Sequence, residues 1–334
     1  MAAFNVSLPN VLAALDAAMP GNIQQNQHAP EATALAAHLT RQTANIQFIQ
    51  GAGQDKKLRT FTVHWEDVCN LDTEAVSDEC AVSSNETTDD STTYSLDGSR
   101  QVSFKESWKR FRAAPHDLEM SVAKKLQKGL SEMDEYLSGQ FIAFLSANKG
   151  AHEYTLPVGA DNAGDWEINA SDWTDSLVPH LRLSARFSRF ASLYLLDGLN
   201  LVTTVEKARY YGANDNGRGE NALWNSLNYI FDPIKMNEVA PNMTYLVNPG
   251  SVALATGNYW DAVPQEFGGS HRMFTVASPS LPGVSYDVHE IETCTSNDFV
   301  TSWQIRANYK LLINPEGCTA NRTGILSFKK IAGI

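Results

Sequence analysis

The densest set of reactive side chains in the sequence is acidic. Between Trp65 and Ser99 stand ten carboxylates (Glu66, Asp67, Asp72, Glu74, Asp78, Glu79, Glu86, Asp89, Asp90, Asp97) and no Lys or Arg. The next block, Arg100 to Lys128, carries eight cations (Arg100, Lys105, Lys109, Arg110, Arg112, Lys124, Lys125, Lys128) against three acids. The net charge is -12, yet with the ten set aside the other 28 acidic residues nearly balance the 26 basic ones. The acidity is therefore local. An acidic block beside a basic block points to pairing between elements or between subunits. Asp72, Glu74, Asp78 and Glu79 on one side, and Lys105, Lys109, Arg110, Arg112, Lys124, Lys125 and Lys128 on the other, are the candidate inter-subunit contacts. A solvated surface of mixed sign is the competing account.

Catalytic constellations are weaker. Gly217-Arg-Gly-Glu-Asn-Ala222 has the glycine spacing of a phosphate cradle, but a charged, helical stretch precedes it rather than a strand, so a loop between helices is the better account. Asn214-Asp-Asn216 lacks the spaced carboxylates and closing Glu of a calcium loop. His289-Glu290 and Cys294 suggest a Cys/His nucleophile, but they are close only in sequence and read as the edge of a strand. No GxSxG, HExxH or GxxxxGK[ST] occurs. The expectation is no catalytic residue, no cofactor, no metal and no enzymatic role.

Four cysteines, none at CxxC spacing, imply neither a zinc ribbon nor a disulfide scaffold. If Phe299 to Ile313 is a straight strand its ends lie about 46 Å apart, and the five residues on each flank recover at most about 35 Å. Cys294 and Cys318 should then not pair, whereas Cys69 and Cys80 can. The first twenty residues hold no Lys or Arg, and no apolar run approaches a bilayer span. A soluble protein made in the cytosol, with no membrane partner, is expected; five Asn-x-Ser/Thr matches (Asn5, Asn85, Asn169, Asn242, Asn321) are then chance.

The elements that must position these charges follow from periodicity. Ser7 to Met19 reads as a short helix and Glu31 to Ile49 as a second; neither has a core of its own, so this N-terminal part reads as an arm. Phe61, Val63 and Trp65 alternate on one strand, Val102 and Phe104 on another, and the simplest pairing joins them as a long two-stranded excursion tipped by the acidic segment. Val122, Leu126, Leu130, Met133, Leu137, Phe141 and Phe144 recur at helical spacing, which predicts one helix from Asp117, its N-cap, to Asn148.

Further on, helices are expected at 171–190, 199–211 and 220–230, a short buried strand at 243–248, a helical turn from Ser251 to Ala255, and turns with short strands at 256–290. Phe299 to Ile313 is the clearest strand, with Phe299, Thr301, Trp303, Ile305, Ala307, Tyr309, Leu311 and Ile313 on one face. The fold class is α+β.

An arm, a two-stranded excursion, a very long amphipathic helix, a lobe entered and left once, and a long final strand: this order resembles the Hong Kong 97-like capsid fold of tailed-bacteriophage major capsid proteins. By that resemblance 1–57 is the N-arm, 58–113 the E-loop, 114–195 the spine helix and first part of the P domain, 196–264 the A domain, and 265–334 the second part of the P domain. The resemblance implies a homo-oligomer of hexamers and pentamers that forms an icosahedral head around DNA, with the E-loop across a neighbour. Portal and scaffolding proteins and non-specific proximity to packaged DNA are the implied partners. The implied location is the virion, after assembly in the host cytoplasm. Two departures stand: the arm is too short for the type member's cleaved scaffolding segment, and its Lys–Asn crosslink has no assignable pair here. A jelly-roll capsid or tail protein, a carbohydrate- or metal-binding module and an enzyme are the alternatives; the long helix speaks against the first.

Overall fold

A computed structural model describes residues 8–18, 32–41, 60–67, 88–109, 118–174, 176–190, 193–202, 228–258, 265–267, 270–295, 298–313 and 323–332. In chain order its elements are α1 (Leu8–Ala18), α2 (Thr33–Arg41), β1 (Thr60–Asp67), β2 (Thr88–Ser95), β3 (Gly98–Ser107), α3 (Leu118–Ala147), β4 (Ala160–Asn162), β5 (Asp165–Asn169), α4 (Leu177–Phe187), β6 (Tyr194–Asp197), β7 (Tyr229–Phe231), α5 (Pro233–Val239), β8 (Met243–Val247), β9 (Val252–Thr256), β10 (Gln265–Phe267), β11 (His271–Ala277), β12 (Ser285–Thr295), β13 (Asp298–Ile313) and β14 (Ile325–Ile331). The class is α+β, as the periodicities indicate.

Two six-stranded sheets carry the fold. The first runs β10-β11-β12-β13-β3, all antiparallel, with β9 also on β13. The second runs β4-β5-β14-β8-β6-β7 and is mixed, because β14–β5 and β6–β7 are parallel. β1 and β2 form a separate antiparallel pair.

The long helix ties the sheets together. On α3, Val122, Leu126, Leu130, Met133, Leu137 and Phe141 are buried as the spacing requires, and Phe144 is half-buried. Thirty residues give it about 45 Å. Three contacts fix its direction along β13: Lys125 meets Glu106, the register partner of Thr301; Gly129 faces Ile305; and the Tyr136 hydroxyl lies 3.1 Å from that of Tyr309. A glycine inside a helix costs about 1 kcal/mol. At Gly129 it permits close approach, since a Cβ there would sit 2.5 Å from the Ile305 Cδ1. Asp134, fully buried, accepts hydrogen bonds from the Ser278, Ser280 and Tyr286 hydroxyls and from the Ser280 N–H, fastening the β11–β12 turn to the helix. Past Phe141 the helix reaches the second sheet, where the Ser146 Oγ is 2.5 Å from the Tyr245 hydroxyl of β8 and the Gly150 N–H bonds Ile325 at 2.8 Å.

The arm leans on this frame. Leu8, Val11 and Leu15 of α1 and Ala34 and Leu35 of α2 join the same buried cluster as α3. The fully buried His38 is the specific anchor. Its Nε2 lies 2.9 Å from the Val252 carbonyl, which can only accept, so Nε2 carries the proton and Nδ1 accepts from the Tyr194 hydroxyl at 2.7 Å. Burial pushes its pKa down to about 4. The Ala34 N–H also donates to Asp232 at 3.0 Å.

Several expectations are corrected. β3 does not pair with β1; it pairs with β13 over Gly98 to Ser107, because Phe104 stacks on Trp303 and Val102 lies against the α3 surface at Gly129. The strand that pairs β1 comes instead from the end of the acidic segment. The helix placed from Ser171 begins at Leu177; ahead of it, Ala170–Asp172 is a single 3-10 turn and the buried Trp173 donates its indole N–H to the Ile168 carbonyl. Tyr229–Phe231 is a strand parallel to β6, not a helix end. The expected helical turn from Ser251 to Ala255 is not formed: Ser251 ends a 3-10 turn begun at Pro249, and Val252 to Thr256 pair with Ile313 to Tyr309, strand pairing overriding the alanine-rich sequence.

β12 spans eleven residues rather than a short strand, and His289-Glu290 sit mid-strand, not at an edge. Phe299 is 41 % exposed, although it alternates with buried residues. β14 lies between β5 and β8, so the 265–334 block is divided between the sheets, and the 195/196 boundary falls inside β6. The expected helix beyond Arg41, the helices at 203–227, the Gly217 loop, Asn214-Asp-Asn216, Asp117, Cys69, Cys80 and Cys318 lie outside the described residues.

Candidate assembly surface

The acidic excursion is built on a polar strand pair. Thr60 to Asp67 align with Ser95 to Thr88; Phe61 stacks on Tyr94 with centroids 5.8 Å apart, and the Thr62 and Thr93 hydroxyls are 2.9 Å apart. The register sets Glu66 opposite Asp89, and Asp67 ends β1 twenty residues before Thr88 begins β2. Asp72, Glu74, Asp78 and Glu79 fall in that interval and outside the described residues. At the exit, Asp97 pairs with Lys310 of β13 at 2.5 Å, and this ammonium holds the Asp97 carboxyl below its usual range. The two-stranded pair is thus tied to the first sheet at its root.

The basic block divides in three. Lys125 binds the buried Glu106 and Lys128 binds Glu132 at 2.7 Å, so two of the seven cations are satisfied within their own chain. Lys105, Lys109 and Lys124 are exposed. Arg110 and Arg112 lie outside the described residues. Asp298, which accepts from Ser107 and from the Lys109 N–H, has its carboxyl held below its usual range, first by the Ser107 bond. The structure therefore leaves three described lysines of the original set facing solvent.

A second basic surface, not signalled by the charge blocks, lies on α4. Leu177, Val178, Leu181, Ser184 and Ala185 of α4 are buried against Ile168, Leu195, Leu246 and Phe328 of the second sheet. The opposite side carries Arg182, Arg186, Leu183 and Phe187, the last 54 % exposed. Tyr154 stacks on Phe187 at 5.1 Å and on His180 at 6.3 Å, its hydroxyl 3.2 Å from the His180 Nδ1. The helix closes with Phe190 N–H to Ala185 and Arg189 N–H to Arg186, both 3.0 Å, and Arg189 takes φ 58°. That closing position usually belongs to glycine, and a residue with a Cβ there costs about 1 kcal/mol. The legible signal was that 177–190 holds three arginines and no acid.

His289, Glu290 and Cys294 lie along one strand, β12. Among the described residues no group of three His, Cys, Asp or Glu could hold a metal. Mid-sheet, Glu290 pairs with Arg272 at 2.5 Å, and burial pushes the His289 pKa down to about 4. Cys294 is in register with Phe299, five positions from His289 along β12. No described helix is long and apolar enough to cross a membrane.

No protein-family model matches the chain, and no curated protein matches it. Solved structures align with most of it at low identity. The cyanophage A-1(L) capsid asymmetric unit matches with TM-score 0.48 and 11 % identity, over 82 % of this chain and 89 % of that one. The capsid of cyanophage P-SCSP1u matches with TM-score 0.48 and 8 % identity, over 82 % and 84 %. The capsid of a native GTA particle matches with TM-score 0.44 and 12 % identity, over 86 % and 94 %.

Proposed function

We propose that this chain is the subunit of a self-assembling shell: a major capsid protein that forms the icosahedral head of a tailed phage and encloses its DNA. The observation that carries the reading is the frame itself. A 30-residue helix runs in the same direction as a 16-residue strand, and a separate two-stranded sheet, rooted on that strand by Lys310 and Asp97, carries an acid-only interval. A strand pair this polar gains little by folding back on its own subunit, and an isolated pair is marginal in water. Its stability is supplied by a neighbour.

In this reading α1 and α2 belong to the N-arm, β1 to β3 to the E-loop and its return, α3 is the spine, and the lobe of β6 to β8 is the A domain, with the boundaries 1–57, 58–113, 114–195, 196–264 and 265–334 adjusted so that β6 and β14 stay with the sheet they share. Hexamers and pentamers, portal and scaffolding proteins, and packaged DNA are the partners that follow. The contact residues proposed for the excursion are Asp72, Glu74, Asp78 and Glu79 against the exposed Lys105, Lys109 and Lys124 of a neighbour, together with Arg110 and Arg112. Exposed pairs contribute about 0 to 1 kcal/mol each, so repetition around a closed shell makes them count. Size-exclusion and electron microscopy of the purified chain test the reading. Closed particles or capsomers are expected; a monodisperse monomer at high concentration overturns it.

A further inference from the structure

We propose that the outward face of α4 is the docking surface for residues 68–87 of a second copy of this chain. The proposal deepens the shell reading and rests on it. With Leu177, Val178, Leu181, Ser184 and Ala185 turned into the second sheet, 100° per residue puts Arg182 and Arg186 on one outward stripe and His180, Leu183 and Phe187 on the next, and Arg189 follows just past the helix end. No guanidinium of the three has a carboxylate within ion-pair distance among the described residues, and none of residues 177–190 is acidic. Phe187 and Leu183 are exposed, yet the stacked Tyr154 holds the Phe187 ring in place, so docking would order little that is not already ordered. Arg189, exposed and just past the helix end, keeps a left-handed backbone where glycine is favoured, so an arginine stands there at the expense of local preference. Arginine beside an exposed aromatic ring is the composition of an interface centre.

The occupant is identified by charge and by reach. Residues 68–87 contain Asp72, Glu74, Asp78, Glu79 and Glu86 and no Lys or Arg, interleaved with Val68, Leu71, Val76 and Val82. Carboxylates match the guanidinium stripe in bidentate geometry, which the lysines at 105, 109 and 124 do not offer, and the apolar residues match Leu183 and Phe187. The interval leaves and re-enters the fold at register partners Asp67 and Thr88, so its twenty residues, doubled back, reach about 33 Å from the strand pair. The root is neutralised at home by Lys310, and Lys125 and Lys128 are already paired. Among the described residues the exposed lysines at 105, 109 and 124 of another copy compete for this segment, and the arginines of α4 are favoured because they add a planar fork and a neighbouring aromatic ring.

Two experiments on the full chain decide it. In assembly followed by light scattering, Arg182→Glu with Arg186→Glu should raise the concentration needed for particles at least tenfold with the circular dichroism spectrum and melting temperature unchanged. Asp78→Lys with Glu79→Lys in the same chain should restore it. Parallel neutralisation of Lys105, Lys109 and Lys124 should matter less, and the reverse order overturns the assignment. A benzophenone amino acid in place of Phe187, in a mixture of 15N-labelled and unlabelled chains, should crosslink to residues 68–87 of the other isotopic form. A crosslink to another segment or within one chain, or normal assembly of the double-Glu variant, overturns the proposal. Wild-type chains that stay monomeric overturn the shell reading, and the crosslink at high concentration then judges this pairing by itself.

Discussion

The helices α3 and α4 are both amphipathic, and they spend their surfaces differently. Along α3 the apolar stripe from Val122 to Phe141 is buried, and the cations at 125 and 128 have carboxylates of their own chain. Along α4 the inward stripe is equally buried, but Leu183 and Phe187 face solvent beside arginines that lack any such partner among the described residues. A folded chain can therefore satisfy its core and still hold recognition chemistry in reserve. The two helices separate those tasks: substitutions on α3 should act on the monomer, and substitutions on the outward face of α4 should act between copies.

The comparison breaks first if α3 tolerates truncation. Phe141→Ala should lower unfolding free energy by about 3–5 kcal/mol in urea titrations, since the ring is fully buried and lies 4.7 Å from His38. Acid probes the same contact. His38 has a pKa lowered from 6.5 to about 4, so the unfolded chain takes up the proton first. Stability is fully present above pH 6.5 and falls as pH drops toward 4, by on the order of 3 kcal/mol in total. Limited proteolysis should release the arm across that window, and His38→Gln should flatten the dependence.

Smaller effects sharpen the contrast between paired and unpaired charge. Lys125→Ala leaves Glu106 buried without its cation and should cost about 2 kcal/mol, measured by thermal melts. The exposed Lys128–Glu132 pair is worth about 0.3–0.5 kcal/mol, so Lys128→Ala should barely register in the same melts. Phe187→Ser should change monomer stability by no more than about 0.5 kcal/mol. It should nevertheless reduce particle yield in micrographs.

How much of this was legible depended on whether the signal was periodic or relational. The spacing of Val122 to Phe141 gave α3 almost to the residue, and the alternation from Thr301 to Tyr309 gave β13, because one buried face imprints its own period. Alternation names a face but not a partner, so Val102 and Phe104 mark a strand without saying that it lies on β13 rather than on β1. β9 was hidden because Val-Ala-Leu-Ala-Thr has no helix-breaking residue; only the edge of β13 makes it a strand. Among the candidate contacts, charge counted along the chain found both blocks. It could not see that Glu106 claims Lys125, nor that α4 sorts its arginines onto one side, since both facts depend on which way a side chain turns once the backbone is folded.

The position of β14 has a consequence in time. Residues 325–331 fill the place between β5, which lies some 160 positions earlier, and β8, so the second sheet has a gap at its centre until that strand arrives. During synthesis α3 and the first strands of this sheet emerge long before it. Long-range pairing of this kind is slow to form and leaves strand edges open meanwhile. The buried cluster beneath α4 includes Leu326 and Phe328 of β14, so that part of it is completed only once residues 325–331 are in place. The topology sets an order: the gap between β5 and β8 closes only after some 160 residues beyond β5 have been made.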